Sequence, residues 1–323
     1  MLRIAVLDDY QGVARDLADW GRLGPDATVD VFDHNLATED MAAAALAGHD
    51  VLCMMRERMP LPASLIARLP NLKLVIVSGA RVRTIDMDAA VARGITVCHT
   101  RPGESHSATP ELAWALILAS LRHLPDEHAN MRAGGWQRTL GTTLEGRTLG
   151  LLGLGKLGAR MVPVAKAFGM KVIAWSPNLT TERAAELGAE RVAKDELFRE
   201  ADVVSVHVVL SERSRGLVGV HEIGLMKQDA LLVNTSRGPI VDEAALVEAL
   251  RAGRIRAALD VYDIEPLPVD HPLRSAPNVV LAPHLGYVTA DAYAEFYPDM
   301  VEGILAWRAG TPIRVLAAPR SAA

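Results

Sequence analysis

Cysteine is scarce in this chain: of 323 residues only Cys53 and Cys98 carry thiols, both inside apolar, strand-like runs, "DVLCMM" and "GITVCHT". That excludes a disulfide-stapled secreted scaffold, and the two read as free core thiols of a reducing, cytoplasmic compartment. Also missing is any uncharged stretch approaching the roughly 20 residues that cross a bilayer. The opening "MLRIAVLDD" reads as a buried first strand rather than a signal peptide, so no membrane partner is expected. Lysine and arginine nowhere gather into a phosphate-tracking stripe and the formal net charge is −5, so no nucleic-acid partner is expected. There is no fixed-period repeat, low-complexity segment or disordered linker, and no stretch calls for a metal ion.

What is present is an ordinary globular composition, 50% hydrophobic and 23% charged, on a chain long enough for two domains. Short apolar runs alternate with helical stretches almost throughout, the pattern of parallel sheets covered by helices on both faces. Strands are expected in "RIAVLD", "TVDVFD", "DVLCMM", "LKLVIVSG" and "ITVCHT", and after Thr148 in "TLGLLGLG", "KVIAWS", "VVSVHVV", "ALLVNTS", "IRAALDV" and "VVLAPHL". The fold class is therefore α/β with two doubly wound parallel-sheet domains. One helix, "ATPELAWALILASLRHL", is expected to join the two sheets, and a final helix over Thr289 to Trp307 is expected to return to the first domain.

Within "GLLGLGKLGARM", Gly153, Gly155 and Gly158 fit G-x-G-x-x-G after a strand and at the head of a helix. The first glycine permits a tight turn, the second lets backbone approach a pyrophosphate, and the third allows close helix–sheet packing. With Lys156 and Leu157 they form a candidate dinucleotide loop. Three further stretches lie at strand ends, where open α/β sheets bind ligands: "VNTSRGPIVD" with Thr235 and Arg237, "ALDVYDIEPLP" with Asp260 and Glu265, and "LAPHLGYVT" with His284. Alone, each has a bland reading as a surface or strand-end residue. Together they have a single use, because an arginine can grip a carboxylate, a histidine can exchange a proton with an alcohol oxygen, and a carboxylate can hold that histidine.

The order and wording of "LEGRTLGLLGLGKLG", "VNTSRGPIVDE", "ALDVYDIEPLP" and "APHLGYVT" resemble the D-isomer-specific 2-hydroxyacid dehydrogenases over nearly the whole chain. The resemblance implies a flavodoxin-like substrate domain from residues 1–100 and 287–323 and a Rossmann-type dinucleotide-binding domain over residues 101–286. It also implies hydride transfer between a nicotinamide and a small anionic 2-keto or 2-hydroxy acid, and a homodimer. Residue by residue, Arg237 would orient the substrate carboxylate, His284 would be the acid/base and Glu265 would hold it. Asp260 and Thr109 would lie near the nicotinamide, and His207 would shape the cofactor cleft. The turn Ser78, Gly79, Ala80 and Arg81 would meet the substrate, with Arg56 close by. A second reading from another class is a dinucleotide-sensing, corepressor-like protein of the same fold. A formate dehydrogenase-like activity is disfavoured, since Glu265 is acidic where that relative has an amide.

The sequence departs from the family in several places, among them Leu112 where histidine is frequent and Val209 where proline is frequent, and two departures bear on the ligands. Arg81 and Arg83 stand where small or neutral residues are more usual, and Arg56 and Arg58 follow a strand expected to point at the same cleft, which suggests a second anionic group on the substrate, unless Glu57, Asp86 or Asp88 neutralise them. Ser176 stands where a carboxylate would hold the ribose of NAD and repel the 2′-phosphate of NADP. That leaves NAD(H) and NADP(H) on nearly equal footing, with Arg183 as the nearest candidate for a phosphate.

Overall fold

Continuous apolar runs suit strands buried on both faces, and Val51–Met54, Leu74–Val77, Val203–Val206 and Leu231–Asn234 are each buried along their whole length. The computed structural model describes residues 1–80, 82–101 and 107–319. In chain order its strands are β1 (Leu2–Val6), β2 (Ala27–Val31), β3 (Val51–Met54), β4 (Leu74–Val77), β5 (Thr96–His99), β6 (Thr148–Leu152), β7 (Lys171–Trp175), β8 (Glu190–Arg191), β9 (Val203–Val206), β10 (Leu231–Asn234), β11 (Arg256–Leu259), β12 (Val279–Leu281) and β13 (Val315–Ala317). The chain divides into two units, Met1–Ser105 with Thr289–Ala323, and His106–Val288.

In the first unit the strand order is β13-β5-β4-β3-β1-β2, parallel except for the antiparallel β13. This is the flavodoxin-like order with one strand added, and its switch point lies between β1 and β3. Cys53 and Cys98 are buried and free, in register on either side of Ile76 of β4. Two strand spacings, about 9.6 Å, separate them, too far for a disulfide. The helix Ala290–Arg308, capped by Thr289, buries Tyr293, Phe296, Tyr297, Met300 and Ile304 in this unit.

The second unit holds a fully parallel sheet ordered β12-β11-β10-β9-β6-β7-β8. Successive residues of its strands feed opposite cores: Leu149, Leu151, Val203, Leu231 and Val233 join one, and Leu152, Val204, Val206, Leu232 and Leu259 the other. The helices Ala108–Leu121 and Lys156–Ala167 pack on the first core, and Lys194–Glu200 and Glu243–Arg251 on the second. The helix expected over "ATPELAWALILASLRHL" is broken. It stops at Leu121, His123 turns left-handed at φ +52°, and a new helix, Leu124–Arg132, starts with Pro125 in its first turn. Proline suits that position because its missing N–H is not needed there.

Candidate active site

The register of the second sheet builds one edge. Trp175, Leu152, Val206, Asn234, Leu259 and Leu281 form a single row across β7, β6, β9, β10, β11 and β12. Parallel strands end on the same side, so the next residue of each strand reaches a common edge. Those residues include Ser176, Gly153, His207, Thr235 and Asp260. β6 and β9 flank the switch point, where ligands of open α/β sheets bind.

Gly153 has φ +105°, and a Cβ there would fall 2.7 Å from the His207 carbonyl oxygen. A Cβ on Gly158 would fall 2.2 Å from the Gly153 oxygen, so the loop and helix cross where no side chain fits. Among the described residues nothing lies within 4 Å of where a Cβ on Gly155 would stand. Gly155 begins the helix Lys156–Ala167 with no side chain capping the first-turn amides and no acid in that turn. Lys156 is exposed and Leu157 half-buried. Uncapped amides at the positive end of a 12-residue helix attract an anion. Two strands along the same edge, after β10, Thr235 is buried, and its hydroxyl oxygen has no hydrogen-bond partner among the described residues. Such an orphan asks for a ligand. These residues fit a dinucleotide. His207 lies beneath the glycine turn with Nε2 2.9 Å from Ser205 Oγ, and burial pushes its pKa down to about 4. It is neutral near pH 7, which suits shaping the site rather than passing protons.

On the same edge, His284 Nδ1 lies 2.5 Å from Glu265 Oε2. Burial pushes the Glu265 carboxyl up, but the imidazole bond, the charge of His284, the Tyr262 N–H at 3.0 Å and the charge of Arg237 outweigh it, so the carboxyl is held below the usual range. Arg237 extends from the end of β10, its Nη1 donating to the Ser236 carbonyl at 2.7 Å. The next residue, Gly238, lies so close to Tyr262 that a Cβ would fall 2.0 Å from its carbonyl carbon, which presses the Arg237 loop onto the Glu265 loop. Asp260 accepts the amides of Leu285 at 2.6 Å and Gly286 at 2.9 Å. Burial raises its pKa to about 6 against those two bonds. Thr109 donates to the Gly286 carbonyl at 2.7 Å. Asp260 and Thr109 thus hold both sides of the backbone that follows His284, a positioning role that no motif spacing reveals.

The residues expected to form a substrate turn belong to the first unit. Ser78 is fully buried, its amide given to Met54 O and its hydroxyl accepting the Arg56 amide at 2.9 Å. The Gly79 amide goes to Thr100 Oγ1 at 3.0 Å. Both amides are therefore spent internally, which leaves the exposed Ala80 as the described part of the turn. Arg81 lies outside the described residues. The Arg56 guanidinium is stacked 5.4 Å over Phe296, that of Arg58 5.1 Å over Tyr10, and Glu57 accepts the Arg83 amide at 2.9 Å. In the second unit Arg183 is engaged by Glu186 at 2.8 Å and Thr180 is spent capping its helix, so neither stands ready beside Ser176. Among the described residues there is no candidate metal cluster and no helix long and apolar enough to cross a membrane.

A parallel sheet with a glycine turn at its switch point and a histidine–carboxylate pair farther along the same edge defines a dinucleotide-binding α/β protein. Comparison with known proteins narrows the class. Residues 114–286 match the family model for the D-isomer specific 2-hydroxyacid dehydrogenase NAD binding domain. A glyoxylate reductase from Aeropyrum pernix is 41% identical over 76% of this chain and 76% of its own length. A D-3-phosphoglycerate dehydrogenase from Archaeoglobus fulgidus is 38% identical over 81% of this chain and 50% of its own, so the chain spans about half of that relative. A crystal structure of phosphoglycerate oxidoreductase from Vibrio cholerae superposes with TM-score 0.90 at 39% identity, covering 96% of this chain and 100% of the other. The chain belongs to the D-isomer specific 2-hydroxyacid dehydrogenase family, an oxidoreductase family whose cofactor is NAD(H).

Proposed function

We propose that this chain reversibly reduces a small anionic 2-keto acid to its D-2-hydroxy acid, with His284 as the acid/base. The observation that carries the reading is the 2.5 Å bond between His284 Nδ1 and Glu265 Oε2 on the edge that also bears the glycine turn. The Gly153–Gly158 turn and Thr235 would hold the dinucleotide, which when bound would supply or accept the hydride at C2 of the acid. With Nδ1 engaged by Glu265, Nε2 is the nitrogen left to give a proton to the carbonyl oxygen, or to take one from the alcohol in the reverse direction. Glu265 stabilises the protonated ring. Arg237 orients the substrate carboxylate through paired charge-assisted bonds. Arg56, Ala80 and Arg81 of the first unit are proposed substrate contacts.

The reading predicts its own test. His284→Gln is expected to lower turnover by about a hundredfold or more, the usual worth of general acid catalysis, while NADH binding stays unchanged. Near-normal turnover on a panel of 2-keto acids would remove His284 from the reaction.

We also propose a cytoplasmic homodimer. Support for the dimer comes from Leu124, Met131, Trp136 and Leu140, apolar and exposed in the segment after the broken helix. That segment is held in shape by Glu127, which accepts the Arg138 and Thr139 amides at 3.0 and 2.7 Å and the Thr139 hydroxyl at 2.6 Å. Four large apolar side chains exposed within one 17-residue segment whose backbone is held in place suit an interface. Trp136→Glu is expected to halve the mass seen by light scattering.

A further inference from the structure

We propose that the dinucleotide site also accepts the 2′-phosphorylated cofactor, NADP(H), and that Arg191 supplies the positive charge that receives the 2′-phosphate. The inference rests on the dinucleotide reading above and adds to it a discriminating residue.

The position that would carry a repelling carboxylate holds Ser176, the first residue past β7. Its carbonyl accepts the Leu179 amide at 3.1 Å, closing a tight turn over Ser176, Pro177, Asn178 and Leu179. Proline at the second position favours such a turn. The Leu179 carbonyl in turn accepts Nε of Arg191 at 2.7 Å. Arg191 belongs to β8, beside β7, with Ala174 as its register partner. The guanidinium is therefore tied by one nitrogen to the very turn that presents Ser176.

Its terminal nitrogens have no ion-pair partner among the described residues, and Arg191 is exposed. The acids around it are otherwise engaged. Glu190 pairs with Lys171 at 3.1 Å. Glu182 is held low first by its own backbone amide and by Thr180, and only last by the charge of Arg191. A guanidinium held by Nε presents its remaining donors as a fork, the geometry that matches phosphate oxygens. Arg183, nearer in sequence, is already committed to Glu186.

Equilibrium titration of the full chain with NADH and with NADPH, followed by nicotinamide fluorescence in the absence of substrate, tests the proposal. Wild-type affinities are expected to lie within about tenfold of each other, a difference of about 1.4 kcal/mol. Arg191→Ala is expected to weaken NADPH by about tenfold, the lower end for a charged hydrogen bond at an exposed site, with NADH changed less than about twofold. Arg191→Lys keeps the charge and is expected to retain most NADPH binding, whereas Ser176→Asp is expected to weaken NADPH and spare NADH. The proposal is overturned if wild-type NADPH binds about a hundredfold more weakly than NADH, or if Arg191→Ala and Arg191→Lys weaken both cofactors alike, which would mean Arg191 merely holds the turn. Binding of neither cofactor would overturn the dinucleotide reading itself; normal NADH binding without NADPH binding sinks only this inference.

Discussion

His284 has φ +54°, in the left-handed region that costs a non-glycine residue about 1 kcal/mol or more. What holds it there is the pair of amide bonds to Asp260 immediately after it. Removing that carboxylate with Asp260→Ala leaves two amides without acceptors, each worth about 1–3 kcal/mol where buried. The variant is expected to unfold at lower denaturant and to lose most turnover, with NADH binding reduced less. Asp260 also leaves a signature in pH. Its folded pKa near 6 stands above the unfolded value near 3.9, so the native state holds the extra proton between about pH 4 and 6. Across that window this group's contribution to stability declines as pH rises. Asp260→Asn cannot titrate, so the melting temperature of the variant relative to wild type is expected to improve from pH 4 to 6. A flat difference would show that Asp260 is not raised. Glu265 acts in the opposite sense: held low, its contribution is present above its unfolded pKa and is lost as pH falls through the folded one. In the reducing direction, Glu265→Gln is expected to move the alkaline limb of kcat/KM to lower pH, since the imidazolium loses its counter-charge; an unmoved limb would deny Glu265 that role.

At the scale of elements, the site is a consequence of register. Because Trp175, Leu152, Val206, Asn234 and Leu259 align, five residues separated by up to about a hundred positions arrive at one edge. This part was legible in the sequence, since glycine spacing and apolar runs announce a strand, a turn and a helix, and each strand end announces itself by the first polar residue after the run. Other elements were not legible. β8 has two residues, Glu190 and Arg191, both polar, and no apolar periodicity marks it; missing it meant missing Arg191 and turning to Arg183 instead. β13 joins β5 antiparallel through three residues near the chain's end. The claim of Thr100 on the Gly79 amide is a tertiary event between neighbouring strand ends that no local pattern records. The glycine turn gives the sharpest test at this scale. Gly158→Ala would put a methyl 2.2 Å from the Gly153 oxygen, so loop and helix must separate. We expect a loss of about 1–3 kcal/mol of stability, as overpacking costs, and NADH binding too weak to saturate. Normal binding would show that the crossing is not the cofactor's seat.

At the scale of the whole molecule, each unit carries its own core, and the chain's final helix belongs to the first. Gly303 of that helix comes so near β4 that a Cβ would fall 2.8 Å from Ile76 Cδ1. Beside it, Arg101 donates its Nε and Nη2 to the buried Asp299 at 2.8–3.2 Å, and Arg314 donates to Glu302 at 2.9 Å and to the Asp299 carbonyl at 3.2 Å. Tyr293, Phe296, Tyr297, Met300 and Ile304 are each at most 3% exposed. Large side chains contribute about 1.5–3 kcal/mol each on burial, so together they match the entire net stability of a domain, about 5–15 kcal/mol. Among the described residues, neither core of the second unit includes one beyond Leu285. A chain ended after Val288 is therefore expected to expose its first hundred residues to protease while the second unit survives digestion. That unit bears the glycine turn, Thr235, Glu265 and His284, so it is expected to keep NADH binding within about tenfold of the full chain, about 1.4 kcal/mol, and to lose turnover. Loss of binding together with the first unit's fold would mean that the dinucleotide edge depends on residues outside the sheet that forms it.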